Sequence, residues 1–205
     1  MSERFSSLWL ALGLKGVSAG VYDELTKLYG SSDRFYHNLG HVANCLALLD
    51  EYRELALDPL IIEAALWFHD AVYDTRGKDN EEKSALLARD CFNRAGGMSD
   101  DTIGRVENLI LATSHQGNCT DTDAKLIVDI DLAILGSDPE SYRRYANAIR
   151  MEYGWVTNVD YREGRTKVLK SFLDRGRIFQ TAKIHETLEL KAVQNLRDEI
   201  LRLSN

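Results

Sequence analysis

The sequence predicts an all-α protein that forms a single helical bundle over residues 1–205. Hydrophobic residues make up 44% of the chain and charged residues 28%, as in ordinary globular proteins. Only two prolines occur, and alternation of β-branched residues, which is typical of strands, is scarce. A chain of 205 residues is long enough to bury one well-filled core. One helical domain is therefore the expected architecture.

Apolar spacing and helix-end residues predict the elements of the first half. Gly30 fits the end of the second helix, and Ser31-Ser32-Asp33 is a start signal for the third. Asp58-Pro59 places an N-cap carboxylate before a proline, and Asn80 and Ser99 are further N-caps. The predicted helices cover residues 4–14, 18–29, 59–70, 81–95 and 99–115. One more helix is predicted to begin after residue 33 and to end before the polar residues 51–54. Residues 116–122 are predicted to form a loop.

The second half begins with the most apolar stretch, residues 123–135. Its β-branched residues would permit a strand, but its length and position favour a buried helix. Residues 138–153 follow as a helix rich in Tyr and Arg. A less regular basic region is expected over 158–183, and a closing helix over about 184–204.

Charge and cysteine content exclude several classes of function. The formal net charge of −7 argues against binding to duplex nucleic acid or to an anionic membrane. Cys45, Cys91 and Cys119 form no Cys-x-x-Cys pair, so neither a disulfide framework nor a zinc-thiolate site is expected. No apolar stretch approaches 18 residues and no signal peptide is recognisable, which leads us to expect a cytoplasmic protein.

Candidate metal ligands cluster early in the sequence. His37 and His41 are four residues apart, a spacing that places two side chains on one face of a helix. His69 and Asp70 end an apolar run that begins at Leu60. A carboxylate at the rim of a buried surface is costly without a partner, and a divalent cation would be a natural one.

A further ligand has to come from later in the chain, and Asp129 and Asp131 in the apolar helix are the candidates. Two residues apart on a helix corresponds to about 200° of rotation, so only one of them can point at the metal. The other would cap backbone amides or orient another side chain. Imidazole and carboxylate ligands without a thiolate suit Mn²⁺, Mg²⁺, Fe²⁺ or Zn²⁺.

The ordered set of His41, His69-Asp70 and a distal aspartate resembles the HD superfamily of metal-dependent phosphohydrolases. The His-Asn-x-x-His of residues 37–41 is similar to the signature of class I cyclic-nucleotide phosphodiesterases. More closely, the chain resembles a family of uncharacterised bacterial proteins described as predicted HD-superfamily phosphohydrolases. The shared motifs cover about residues 30–180 and include Asn80-Glu81-x-x-Ser84-Ala85, residues 129–136 and Arg150-x-Glu152-Tyr153.

The resemblance implies an HD-domain-like bundle and a role for each matching residue. His41, His69 and Asp70 match three metal ligands, and the context of Asp131 favours it over Asp129 as the fourth. His37 matches the histidine that donates a proton to the leaving oxygen. The phosphodiesterases carry a further His and Gly after His69-Asp70, whereas this chain has Ala71-Val72, so specificity for cyclic nucleotides is not implied.

The expected function is metal-dependent hydrolysis of a small phosphoester, such as a nucleotide, with Glu81 or the unused aspartate orienting the attacking water. The second expectation is a di-iron oxygenase, for which His115 is the obvious additional imidazole. The third is a non-catalytic ligand-binding module in which the metal ion has only a structural role. The expected partner is a small phosphorylated substrate, with no membrane partner, and a homodimer is allowed.

Overall fold

The computed structural model describes residues 1–115 and 120–204, and in these ranges the chain forms helices and no strands. This confirms the all-α prediction. None of the described helices is long and apolar enough to cross a membrane. The α-helices are α1 Ser2–Ala11, α2 Ser18–Tyr29, α3 Leu39–Glu51, α4 Pro59–Phe68, α5 Asn80–Ala95, α6 Asp100–Ala112, α7 Thr122–Leu132, α8 Pro139–Glu152, α9 Asn158–Asp174 and α10 Ala182–Ser204.

The helices fall into two compact units, Met1–Ile127 and Val128–Asn205, and the boundary lies inside α7. In the first unit, α4 contacts α1, α3, α5 and α6. Every side chain of α4 from Ile61 to Phe68 is buried, which explains why the sequence of this helix is apolar except at Glu63. The organisation of residues 1–205 as one domain stays a prediction.

An aromatic cluster around Trp67 fills the centre of the first unit. The Trp67 ring is fully buried and meets the edge of Phe5 at a centroid distance of 5.0 Å and that of Tyr22 at 6.1 Å. The Tyr29 hydroxyl donates a hydrogen bond to the Trp67 carbonyl oxygen at 3.1 Å. The cluster therefore fixes the last turn of α4, which leads directly into His69.

In the second unit, α10 packs against α9 and against the 3₁₀ helix Ala133–Gly136. The Asn195 amide donates hydrogen bonds to the carbonyl oxygens of Leu135 (2.9 Å) and Ser137 (3.0 Å). These bonds satisfy two backbone acceptors that the short helix leaves without a helical partner.

Several helix ends agree with the predictions from cap residues. The Asp58 carboxylate accepts a hydrogen bond from the amide of Ile61, and the Ser99 hydroxyl accepts one from the amide of Thr102. Residues 122–132 form a helix and not a strand. Of the predicted loop 116–122, residues 116–119, including Cys119, lie outside the described residues.

Four predictions of local structure were wrong. Helix α3 begins at Leu39 and not after Asp33, because Asn38 takes an extended conformation and its side chain accepts a hydrogen bond from the Gly40 amide. Helix α6 ends at Ala112, before His115. Asn80 is the first residue of α5 and not its cap, since its side-chain amide exchanges two hydrogen bonds with the backbone of Asp74.

The fourth error concerns residues 158–183, where the structure has the 17-residue helix α9 in place of an irregular segment. Its buried positions follow helical spacing, but one of them is a charged residue, Arg165. A charge at a core position interrupts the apolar pattern from which a helix is predicted. The buried residues of α9 are Tyr161, Arg165, Leu169 and Phe172.

Gly97 provides a test of the packing between two loops of the first unit. Its φ is +110°, and a Cβ atom there would overlap with the Gly13 carbonyl oxygen. We expect Gly97→Ala to lower the free energy of unfolding by about 2–4 kcal/mol, because the energetic costs of backbone strain and of overpacking are added together. Denaturant unfolding measures the loss. The control is Gly104→Ala in α6, where a Cβ meets nothing within 4 Å and about 0.5–1 kcal/mol of stabilisation is expected. Equal effects of the two substitutions would contradict this account.

Candidate metal centre

His41 lies in the first turn of α3 and is 4% exposed. Cys45 follows one turn later on the same face and is 1% exposed. The Sγ atom of Cys45 is 3.7 Å from both Nδ1 and Nε2 of His41. Because the two distances are equal, the sulfur does not lie on the lone-pair axis of either nitrogen. Neither ring nitrogen of His41 is therefore directed at the thiol.

His69 caps the C-terminal end of α4 and is 1% exposed. Its Nδ1 lies 2.9 Å from the carbonyl oxygen of Leu66, which can only accept a hydrogen bond. Nδ1 therefore carries the proton, and in the neutral ring Nε2 is left with a lone pair. A backbone carbonyl that fixes the tautomer in this way is typical of histidines that bind metal ions.

The two imidazoles meet at their Nε2 atoms, which are 3.0 Å apart. The Oδ2 atom of Asp70 lies 3.1 Å from Nε2 of His69 and 3.5 Å from Nε2 of His41. Two nitrogens bound at right angles to one metal, each at about 2.1 Å, would be about 3.0 Å apart. These distances are compatible with two nitrogens and one carboxylate oxygen binding a single divalent cation.

Cys45 is the residue of this cluster that the sequence analysis missed. Donor atoms of His41, Cys45 and His69 lie within 4.8 Å of one another, and all three side chains are buried. The expectation of a centre without a thiol nearby was therefore wrong. The signal was present in the sequence, because Cys45 is four residues after His41 on one helix. A group of this composition could hold a metal ion, and an added thiolate would favour Zn²⁺.

Arg34 holds the backbone around the cluster, and no sequence motif marked it. Its Nη1 donates to the carbonyl oxygens of Asp70 (2.6 Å) and His37 (3.2 Å), and its Nη2 donates to that of Ala71 (2.9 Å). One guanidinium therefore connects the segment before α3 with the turn after α4. This fixes the position from which the Asp70 side chain reaches the two histidines.

His37 lies just before the N-cap of α3, so the predicted arrangement of His37 and His41 on one helix face was wrong. The His37 ring stacks on Tyr73 at a centroid distance of 4.0 Å and lies 6.0 Å from the His41 ring. The structure brings His37 next to the cluster without placing it among the candidate donors. This separation is compatible with a role toward substrate, as the resemblance implied.

Glu81 lies in the first turn of α5 and is partly buried. Burial is the main cause that raises the pKa of its carboxyl group; the charge of Asp70 raises it further and that of His115 lowers it. Glu81 is therefore within electrostatic reach of both residues. His115 has a φ of 57°, a left-handed conformation that non-glycine residues adopt mostly in turns and at strained sites.

The two aspartates of α7 belong to the second unit and differ in environment. Asp129 is fully buried, and its carboxylate accepts hydrogen bonds from the amides of Gln180 (2.9 Å) and Thr181 (2.5 Å). Burial raises the pKa of Asp129, whereas the two amides lower it. The predicted capping of backbone amides by one of the pair thus applies to Asp129. Asp131 is partly buried, and its role as the distal ligand stays a prediction.

No protein-family model, curated protein or solved structure matches the chain. The functional argument therefore depends on the residues and geometry described above.

Proposed function

We propose that the chain is a metal-dependent phosphohydrolase that hydrolyses a small phosphoester, such as a nucleotide. The main supporting observation is the convergence of His41 Nε2, His69 Nε2 and Asp70 Oδ2 within 3.0–3.5 Å of one another. Two histidines and one carboxylate leave further coordination positions for water and substrate. Asp131 is proposed as an additional ligand on the basis of the sequence alone.

A divalent cation held there would polarise a phosphoryl group and make a water molecule more acidic. We assign the protein side chains the following roles. The Leu66 carbonyl holds the proton of His69 on Nδ1, and Arg34 orients the turn that carries Asp70. Glu81 is assigned the orientation of the attacking water, and His37 the transfer of a proton to the leaving oxygen.

The deciding experiment is metal reconstitution followed by a substrate screen. The purified chain is stripped with a chelator, loaded with Mn²⁺, Mg²⁺, Fe²⁺ or Zn²⁺, analysed for metal content, and assayed against nucleotides and simple phosphoesters. The proposal expects turnover that depends on the metal and on His41. Two irons per chain with oxygen consumption would favour a di-iron oxygenase. Metal binding without turnover would favour a binding module.

His37→Ala is expected to retain the metal and to lower kcat by about 10²–10⁴-fold, the contribution of a general acid. The loss should be much smaller with p-nitrophenyl phosphate, because nitrophenolate leaves without a proton. Metal analysis and steady-state kinetics on both substrate types measure the effect. The control is His185→Ala, which removes a histidine of α10 that pairs with Glu189. Equal losses on both substrates would show that His37 is not the proton donor.

A further inference from the structure

The second unit contains a cavity of about 380 Å³ whose charged lining is mostly basic. Pockets for small ligands typically have volumes of about 300–1,000 Å³. Three helices contribute: α8, the beginning of α9 and the end of α10. The lining residues are Arg143, Ala146, Asn147, Arg150, Asn158, Tyr161, Arg162, Glu199, Arg202 and Leu203.

Three of the four arginines in the lining have no internal partner. Within the described part of the chain, Arg143, Arg162 and Arg202 are exposed and form neither an ion pair nor a hydrogen bond. The one acidic residue of the lining, Glu199, is bound by the buried Arg165. The charge of the cavity is therefore positive, in a chain whose formal net charge is −7.

Arg150 is fixed in place before any ligand binds. Its Nη1 donates to the carbonyl oxygen of Tyr153, and its Nη2 donates to the carbonyl oxygen of Val156 and to Oδ1 of Asn158. Its guanidinium also lies 4.6 Å from the centroid of the Tyr161 ring. These bonds use three of the five N–H groups and leave two for a ligand. A guanidinium ordered in advance loses little entropy on binding.

Tyr161 supplies an independent indication of a ligand. The residue is 7% exposed, and its hydroxyl is buried without a hydrogen-bond partner among the described residues. Burial raises the pKa of Tyr161 to about 12, so the hydroxyl keeps its proton at neutral pH. A buried donor without an acceptor is destabilising, and native structures rarely retain one without a reason. An oxygen atom of a bound anion would satisfy it.

We propose that this cavity binds a small molecule carrying at least two phosphate groups, through the arginines of three helices and the Tyr161 hydroxyl. Guanidinium groups bind phosphate oxygens bidentately, and several arginines from different directions suit a multiply charged tetrahedral group. The volume exceeds that needed for a single inorganic phosphate. The site belongs to the second unit, uses none of the candidate metal ligands, and does not depend on the proposed hydrolase activity.

The test is calorimetric titration of the full chain with inorganic pyrophosphate in the presence of EDTA. Saturable binding with one pyrophosphate per chain is expected, and it should persist in Asp70→Asn, which separates this site from the metal centre. Arg143→Gln combined with Arg162→Gln should weaken binding at least about tenfold, because charge-assisted hydrogen bonds are lost. The control is Arg144→Gln, an exposed arginine on α8 outside the lining.

Tyr161→Phe distinguishes a binding role from a structural one. The affinity for pyrophosphate should fall about threefold to tenfold, while the melting temperature of the free chain should not fall, because no hydrogen bond is lost. Three outcomes would overturn the proposal: no saturable binding by the natural chain, an equal loss in Arg144→Gln, or unchanged affinity in Tyr161→Phe. Citrate binding as tightly as pyrophosphate would overturn the assignment to phosphate.

Discussion

Asp70→Asn is expected to abolish metal-dependent hydrolysis and to leave less than about 0.1 metal ion per chain after dialysis. The Asp70 carboxylate lies within 3.1–3.5 Å of both imidazole Nε2 atoms, and an amide in its place cannot supply the negative charge. Removing a residue that only orients a metal ligand typically lowers the metal affinity 10- to 100-fold. Loss of a ligand should cost more. Metal analysis and the phosphoester assay measure both effects.

The variant should remain folded, because Asp70 lies beyond the last residue of α4 and its backbone contacts with Arg34 do not involve the side chain. Circular dichroism checks this point. The control is Asp90→Asn on the exposed side of α5. A chain that keeps its metal and its turnover without the Asp70 carboxylate would contradict the proposed centre.

Arg165→Met is expected to lower the free energy of unfolding by about 3–5 kcal/mol, because it leaves a buried carboxylate without its cation. The Arg165 and Glu199 side chains are only 8% and 6% exposed, and Nε of Arg165 donates to Oε1 of Glu199 at 2.9 Å. The Tyr142 hydroxyl also donates to Glu199. Denaturant unfolding of the full chain measures the loss.

A surface ion pair on the same helix provides the control. Lys167 and Glu163 form an i,i+4 pair, but their side chains are 73% and 66% exposed. Lys167→Met should change stability by less than about 0.5 kcal/mol. Adding Glu199→Leu to Arg165→Met should recover part of the loss, because both charges are then absent. A loss of less than about 1 kcal/mol in Arg165→Met would contradict this account.

The sequence predicted the starts of α4 and α6 correctly from their cap residues, whereas the start signals at Ser31-Ser32-Asp33 and at Asn80 were misplaced. Asp58 and Ser99 each accept a hydrogen bond from an amide of the helix that follows. Such signals are local and need no knowledge of the tertiary structure. Helix α9 was not predicted because its core position 165 is charged, and the Glu199 that compensates for it lies 34 residues away.

The candidate site was predictable to the extent that its residues are close in sequence or follow a known order. His41, His69 and Asp70 do come together. Cys45 could have been found from its four-residue spacing to His41. Arg34 could not, because its contacts are with backbone carbonyl oxygens 36 and 37 residues away, and any residue type can supply those.

The buried tryptophans of the first unit can serve as intrinsic fluorescence probes. Trp9 and Trp67 are almost completely shielded from solvent, whereas Trp155 is 52% exposed. In a Trp155→Phe chain, the tryptophan fluorescence would come only from Trp9 and Trp67. Trp67 lies in the turn of α4 that leads into His69, and we expect its emission to change when Mn²⁺ is added. Metal binding to the proposed centre could then be titrated by fluorescence before any substrate is known.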